Sequence, residues 1–289
     1  MAQIANVRNT IASHQIVNSN AIAALRMKEG AAYGSIKHKP IAPRALAGLH
    51  GHHPSHNGLL AALPEADYAR LAPHLEFVDM PFGTTICEAG EQMQYVYFLT
   101  SSIVSLLYET ADGASSETAV IGYEGIVGAD VFMGGGASLH RAFVKSAGYG
   151  FRIKASILTE EFARGGALQQ LLLRFTQALF TQMAHTVACN RHHTIVQQLC
   201  RWLVLSLDRL PGNKISMTQD LIANMLGVRR ESVTEAARKL QDEGLIQYSR
   251  GQITVLDRAG LEAHICECYA GIKNCLLYTS DAADDSLRV

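Results

Sequence analysis

The chain has 289 residues, of which 48% are hydrophobic and 18% charged, with a formal net charge of -1. That length suits two domains with packed cores, and no apolar run reaches the ~20 residues of a membrane span. The N-terminus lacks the order of a signal peptide, a basic stretch followed by an apolar one. The near-neutral balance excludes a uniformly basic surface but allows a local basic face.

Residues 1–57 have no sustained period and are rich in Ala, Asn, Ser and Gly, so they are expected to form a disordered extension. His50, His52, His53 and His56 fall in it. With no Cys or carboxylate beside them they read as a polar linker and not as metal ligands. From Asn57 the pattern becomes helical, with Leu59, Leu60, Leu63, Tyr68, Leu71 and Leu75 on short amphipathic helices either side of Pro64. After Met80 the period shortens to that of strands. Turn signals at Phe82-Gly83, Ala89-Gly90, Asp112-Gly113 and Gly122 have the spacing of a small antiparallel barrel. Gly134-Gly135-Gly136 is not followed by Gly-Lys-Ser/Thr and reads as a loop between strands, not as a phosphate cradle.

From Thr159 the helical period returns. Leu168, Leu172, Phe175, Leu179 and Thr186 lie close to one stripe, and a second apolar face suits a dimer seam on one side with the barrel on the other. A break near Asn190-Arg191 precedes a helix carrying Ile195, Leu199, Trp202, Leu203 and Leu207, which Pro211-Gly212-Asn213 ends.

Residues 215–245 read as two short helices around a tight turn, and 247–255 as a hairpin. Leu221, Ile222, Met225 and Leu226 form one helical face, Gly227 breaks the helix, and Val233, Ala236, Ala237 and Leu240 give the second helix its own apolar face. The opposite face carries Arg229, Arg230, Glu231, Thr234 and Glu235. A helix about 10–12 Å across fits a DNA major groove. There Arg230 can donate a bidentate pair to guanine and Glu231 can accept from cytosine.

On Thr218, Gly227, Arg230-Glu231-Ser232-Val233 and Gly244-Leu245-Ile246, this segment resembles the winged helix-turn-helix of the Crp/Fnr family of bacterial transcription regulators. The resemblance implies an α+β chain: an antiparallel jelly-roll sensor domain over 58–158, a dimerisation helix over 159–190, and a winged helix-turn-helix over 191–262. It implies double-stranded DNA, a second copy of the chain and RNA polymerase as partners; the lack of a membrane span and of a signal-peptide pattern makes a cytoplasmic location the expectation. Its DNA contacts would come from Thr218, Gln219, Arg229, Arg230, Glu231, Ser232, Thr234, Glu235 and Arg250. Glu235 stands where many members carry a second base-reading arginine, so the half-site should differ from the best-known consensus.

The resemblance also implies an effector pocket around Gly128, Ala129, His140 and Arg141. In cyclic-nucleotide-binding relatives a Gly-Glu pair holds the ribose and an arginine pairs with the phosphate. Here Ala129 follows Gly128, and His140 takes the arginine position with Arg141 one residue late, which turns a strand side chain to the other face. Cyclic AMP is therefore not expected to bind.

An iron–sulfur cluster is not expected, because Cys87 stands alone and the one close pair, Cys266 and Cys268, follows the wing. Nothing in the spacing marks His140 or His185 as a haem ligand, and no metal site is expected. In a cytoplasmic protein Cys87, Cys189, Cys200 and the others should be reduced thiols. A constitutive regulator and a thiol-redox-responsive one remain open beside the effector-controlled reading. An enzyme does not fit, since neither a nucleophile elbow nor His-Glu-x-x-His is present. Residues 275–285, CLLYTSDAADD, resemble the read-through of a transposase-derived sequencing adapter. Residues 275–289 are accordingly expected to be non-native.

Overall fold

The computed structural model describes residues 52–134 and 136–285. A one-turn helix α1 (Gly58–Ala61) and helix α2 (Glu65–Leu71) lead into eight strands: β1 (Glu76–Met80), β2 (Thr85–Cys87), β3 (Tyr95–Leu99), β4 (Ile103–Glu109), β5 (Ser115–Ile121), β6 (Ile126–Val127), β7 (Arg141–Ser146) and β8 (Gly148–Lys154). They form two four-stranded antiparallel sheets in the orders β1-β8-β3-β6 and β2-β7-β4-β5, a jelly roll. Alternation along β3 turns Val96 and Phe98 into the core and leaves Tyr95 and Tyr97 half-buried. In β4 the first five residues are all buried, which alternation alone does not produce. Val104 and Leu106 face the barrel core, while Leu107 joins a second core on the outside of the sheet.

That second core belongs to the C-terminal part of the chain. Helix α3 (Ala155–Ala163) is followed by the 26-residue helix α4 (Ala167–His192). Gly165 and Gly166, both at φ +80°, part the two helices at a point where a side chain would be strained. On α4, Leu168, Leu172, Phe175 and Leu179 fill the barrel core. Gln182 hydrogen-bonds the edge strand β5, donating to Val120 O (3.0 Å) and accepting from Val120 N (3.4 Å).

Helix α5 (Ile195–Leu207) starts at a capping box of Thr194 and Gln197. There follow β9 (Lys214–Ser216), α6 (Gln219–Leu226), α7 (Arg230–Asp242), β10 (Ile246–Ser249), β11 (Gln252–Val255), α8 (Arg258–His264) and α9 (Cys268–Asp285). The three strands make a sheet in the order β10-β11-β9. Leu203, Ile222, Val233, Leu240 and Leu261 pack this domain, and Leu107 and Phe143 from the barrel are part of the same cluster. Tyr269, beyond the expected end at 262, packs against it.

The expected disorder over 1–57 is corrected at its end; residues 1–51 lie outside the described ones. Asn57 is fully buried. Its side-chain oxygen accepts from Leu59 N and Leu60 N as the cap of α1, and its amide nitrogen donates to Leu99 O (2.9 Å) and Gly125 O (2.8 Å). A fully satisfied polar residue can be core despite its composition class. His52 packs at a tilt against Tyr149 with ring centroids 4.0 Å apart, and His53 Nδ1 meets Ser55 Oγ; His50 lies outside the described residues. Of the triple-glycine loop, Gly135 is also outside them. Among the described residues no helix is long and apolar enough to cross a membrane.

Candidate nucleic-acid interface

Helix α6 begins at Thr218, whose hydroxyl oxygen accepts from Leu221 N (3.3 Å), and ends at Gly227 at φ +66°. The left-handed residue returns the chain, with Val228 N donating to Ala223 O (3.0 Å). Helix α7 then starts after Arg229. Arg229 has extended backbone, makes no side-chain cap, and is exposed. Val233, Ala236, Ala237 and Leu240 are buried as their spacing requires, so the opposite face is left in solvent. There Arg230, Glu231 and Glu235 are exposed, at and just after the N-terminal turn of the helix.

Ser232 is half-buried beside them. Thr234 is half-buried too, and its hydroxyl donates to Gln219 Oε1 (2.9 Å), so this bond fastens α7 to α6. Arg230 lies 3.5 Å from Asp220 across the same gap, both side chains more than 60% exposed. An ion pair that exposed contributes at most about 1 kcal/mol, which leaves the guanidinium free to change partners. At the wing tip Arg250 (φ +51°) and Gly251 (φ +75°) make a two-residue turn between Ser249 and Gln252. Positive φ at both positions matches the twist of the hairpin.

One open concavity is lined by Thr218, Gln219, Asp220, Arg230, Tyr248 and Arg250. The fold thus gathers four of the sequence-predicted residues from α6, α7 and the wing, while Arg229, Glu231, Ser232, Thr234 and Glu235 stand outside its lining. Asp220 and Tyr248 had no signal of their own in the sequence. Tyr248 donates to Met217 O (2.7 Å), and burial pushes its phenol up to about 12, so it stays a neutral donor that ties the wing to the start of α6.

The residues of the expected effector pocket are placed differently. Gly128 is left-handed (φ +111°) and Ala129 buried behind it. His140 is half-buried, its ring held below the usual histidine range by burial. Arg141 donates to Glu109 (2.9 Å) and lies 3.7 Å from Glu88, so its charge already has carboxylate partners. The adjoining hollow between the loop and α3 is lined by Gln92, Asp130, Ser138, Ser156 and Thr159 among others. None of Gly128, Ala129, His140 and Arg141 lines it, and it offers no cation to a phosphate.

Residues 197–264 match the Crp-like helix-turn-helix domain family. The whole fold is similar to that of a putative Crp/Fnr-family transcriptional regulator from Eubacterium rectale (TM-score 0.59, 18% identity, covering 73% of this chain and 98% of that one). The C-terminal domain is a Crp-like helix-turn-helix. The fold is also similar to that of FixK2 from Bradyrhizobium japonicum (TM-score 0.56, 17% identity, 66% of this chain and 98% of that one). A CRP-family transcriptional regulator from Thermus thermophilus aligns with TM-score 0.54 and 19% identity over 65% of this chain and 95% of that one. No match was found among curated protein sequences.

Proposed function

We propose that the chain is a sequence-specific DNA-binding transcription regulator that binds a palindromic operator as a homodimer, in the cytoplasm where that DNA lies. The observation that carries this reading is the exposed N-terminal turn of α7, presented by a Crp-like helix-turn-helix. Arg230 and Glu231 would read base edges, joined by Glu235 one turn further on. Thr218 and Gln219 at the N-terminus of α6, with Arg250 at the wing, would hold the phosphates.

Selection of bound sequences from a random DNA library tests this. The expected result is a palindrome whose half-sites lie about 34 Å apart or a multiple of that; a library left unenriched would count against it. With the selected site in hand, Arg230→Ala should cost about 1–3 kcal/mol and relax preference at one base pair. Equal loss on every sequence would reduce Arg230 to a phosphate contact.

The signal is not cyclic AMP in this reading. Arg141 is held by Glu109 and Glu88, and freeing it would leave those carboxylates without their cation. Calorimetry with cyclic AMP should give no saturable heat, and micromolar binding would overturn the point. Any input to the barrel would reach α7 through α4 and the packed seam of Leu107 and Phe143 on the C-terminal domain, as a shift between two packings.

A further inference from the structure

We propose that Cys189, His193, Cys266 and Cys268 form a closed four-coordinate site for one zinc-class divalent ion. Their ligand atoms all lie within 4.8 Å of one another. Cys189 Sγ and Cys266 Sγ are 3.6 Å apart, and Cys268 Sγ is 3.7 Å from His193 Nδ1. In a tetrahedron of zinc–sulfur bonds near 2.3 Å the edges are about 3.8 Å. The Cys189–Cys266 and Cys268–His193 separations are already close to that length, and the widest needs to close by no more than about 1 Å. All six cysteines are free thiols, and a 3.6 Å separation is far beyond a disulfide bond of about 2.05 Å. A multi-iron cluster, with bridging sulfides between its irons, needs its thiolates farther apart than a single ion does.

The surroundings are those of a ligand set. His193 turns Nδ1 to the thiols and Nε2 to Glu267, 3.4 Å away, the carboxylate–histidine arrangement that orients an imidazole ligand. The buried amide of Gln198 donates to His193 O (2.9 Å) and Cys189 O (3.4 Å), fixing the backbone that carries two of the four ligands. Three thiolates around a divalent ion leave one net negative charge. Arg201 is buried against Thr186 one turn before Cys189, and its Nε–H meets no acceptor among the described residues. That cation balances the charge. With all four positions filled by protein and the three cysteines buried, the ion has a structural role. It clamps the end of α4 to the segment joining α8 and α9, so the helix before the DNA-binding domain and the segment after it are held at one point.

The test starts with metal analysis of the untagged full-length chain purified under reductant. One zinc per chain is expected, absent from the Cys266→Ser/Cys268→Ser double variant. Because that variant can misfold, cobalt is titrated into the metal-free wild type, where a thiolate-to-cobalt charge-transfer band reports the ligands directly. Glu267→Gln should keep the fold and weaken zinc about 10-fold in competition with a chromophoric chelator. Cys87→Ser, whose thiol lies in the barrel, should leave zinc content unchanged. A full-length chain that holds no stoichiometric metal and gives no cobalt band overturns the site. So does a Cys189–Cys266 disulfide in protein handled anaerobically without reductant, which would make these thiols a redox pair.

Discussion

Lys145→Ala is expected to destabilise the chain by about 3–5 kcal/mol, read from the shift in denaturant midpoint at unchanged slope. The residue is 3% exposed on β7; its amine lies 3.1 Å from Glu117 Oε2 on β5 and 4.4 Å from the centre of the Trp202 ring on α5. Burial pulls its pKa down while Glu117 holds it up. Truncation leaves the Glu117 carboxylate, itself buried, with the Ser105 hydroxyl as its remaining partner. The loss is therefore the cost of an unpaired buried charge more than the net worth of the pair. The double variant Lys145→Met/Glu117→Leu should recover most of it, because no charge is then stranded. A double variant as unstable as the single one would show that the damage is lost packing against Trp202. The site lies where the outer sheet of the barrel meets the first helix of the C-terminal domain, so operator affinity should fall with stability in the single variant and return in the double.

Phe180→Asp is expected to halve the mass of the particle in solution and lower operator affinity by about 10²–10⁴. On α4 the residues facing the barrel are buried, whereas Leu173, Phe180 and Val187 are 52%, 52% and 70% exposed and recur every seven positions. Gln177 and Ala184, lying between them and likewise exposed, complete a 4-3-4-3 series, the spacing of a coiled-coil seam. Against a second copy each apolar side chain would fill a hole between four residues, and an aspartate there would bury a charge. Because Phe180 does not touch the barrel core, thermal unfolding of the monomer should change little. Light scattering checks the mass, and titration of one-half-site against two-half-site DNA separates lost dimerisation from lost contact. A variant that stays dimeric would place the seam elsewhere.

The DNA-binding elements were legible because their signals are local. The cap at Thr218, the left-handed Gly227 and the apolar spacing of α7 are each decided within a turn or two of chain. The barrel stripe on α4 was legible for the same reason. The residues exposed on its other side were not, since Leu173, Phe180 and Val187 are as apolar as Leu172 and Phe175 and only the packed barrel shows which set it covers. Asn57 was misjudged from composition, because polarity gives no warning that two carbonyls distant in sequence will satisfy a buried amide.

The sequence by itself determined the order of elements, the helix-turn-helix and which face of α7 meets solvent, through periodicity and capping that act over a few residues. Tertiary structure alone decided that Arg141 is held by Glu109 and Glu88 and that Glu117 meets Lys145 beneath Trp202. It also decided that Cys189 comes to Cys266, 77 residues along the chain. The reason is that charges and thiols interact through space over a few ångströms. Which of them come that close is set by how the sheets and helices pack, and no spacing along the chain encodes it.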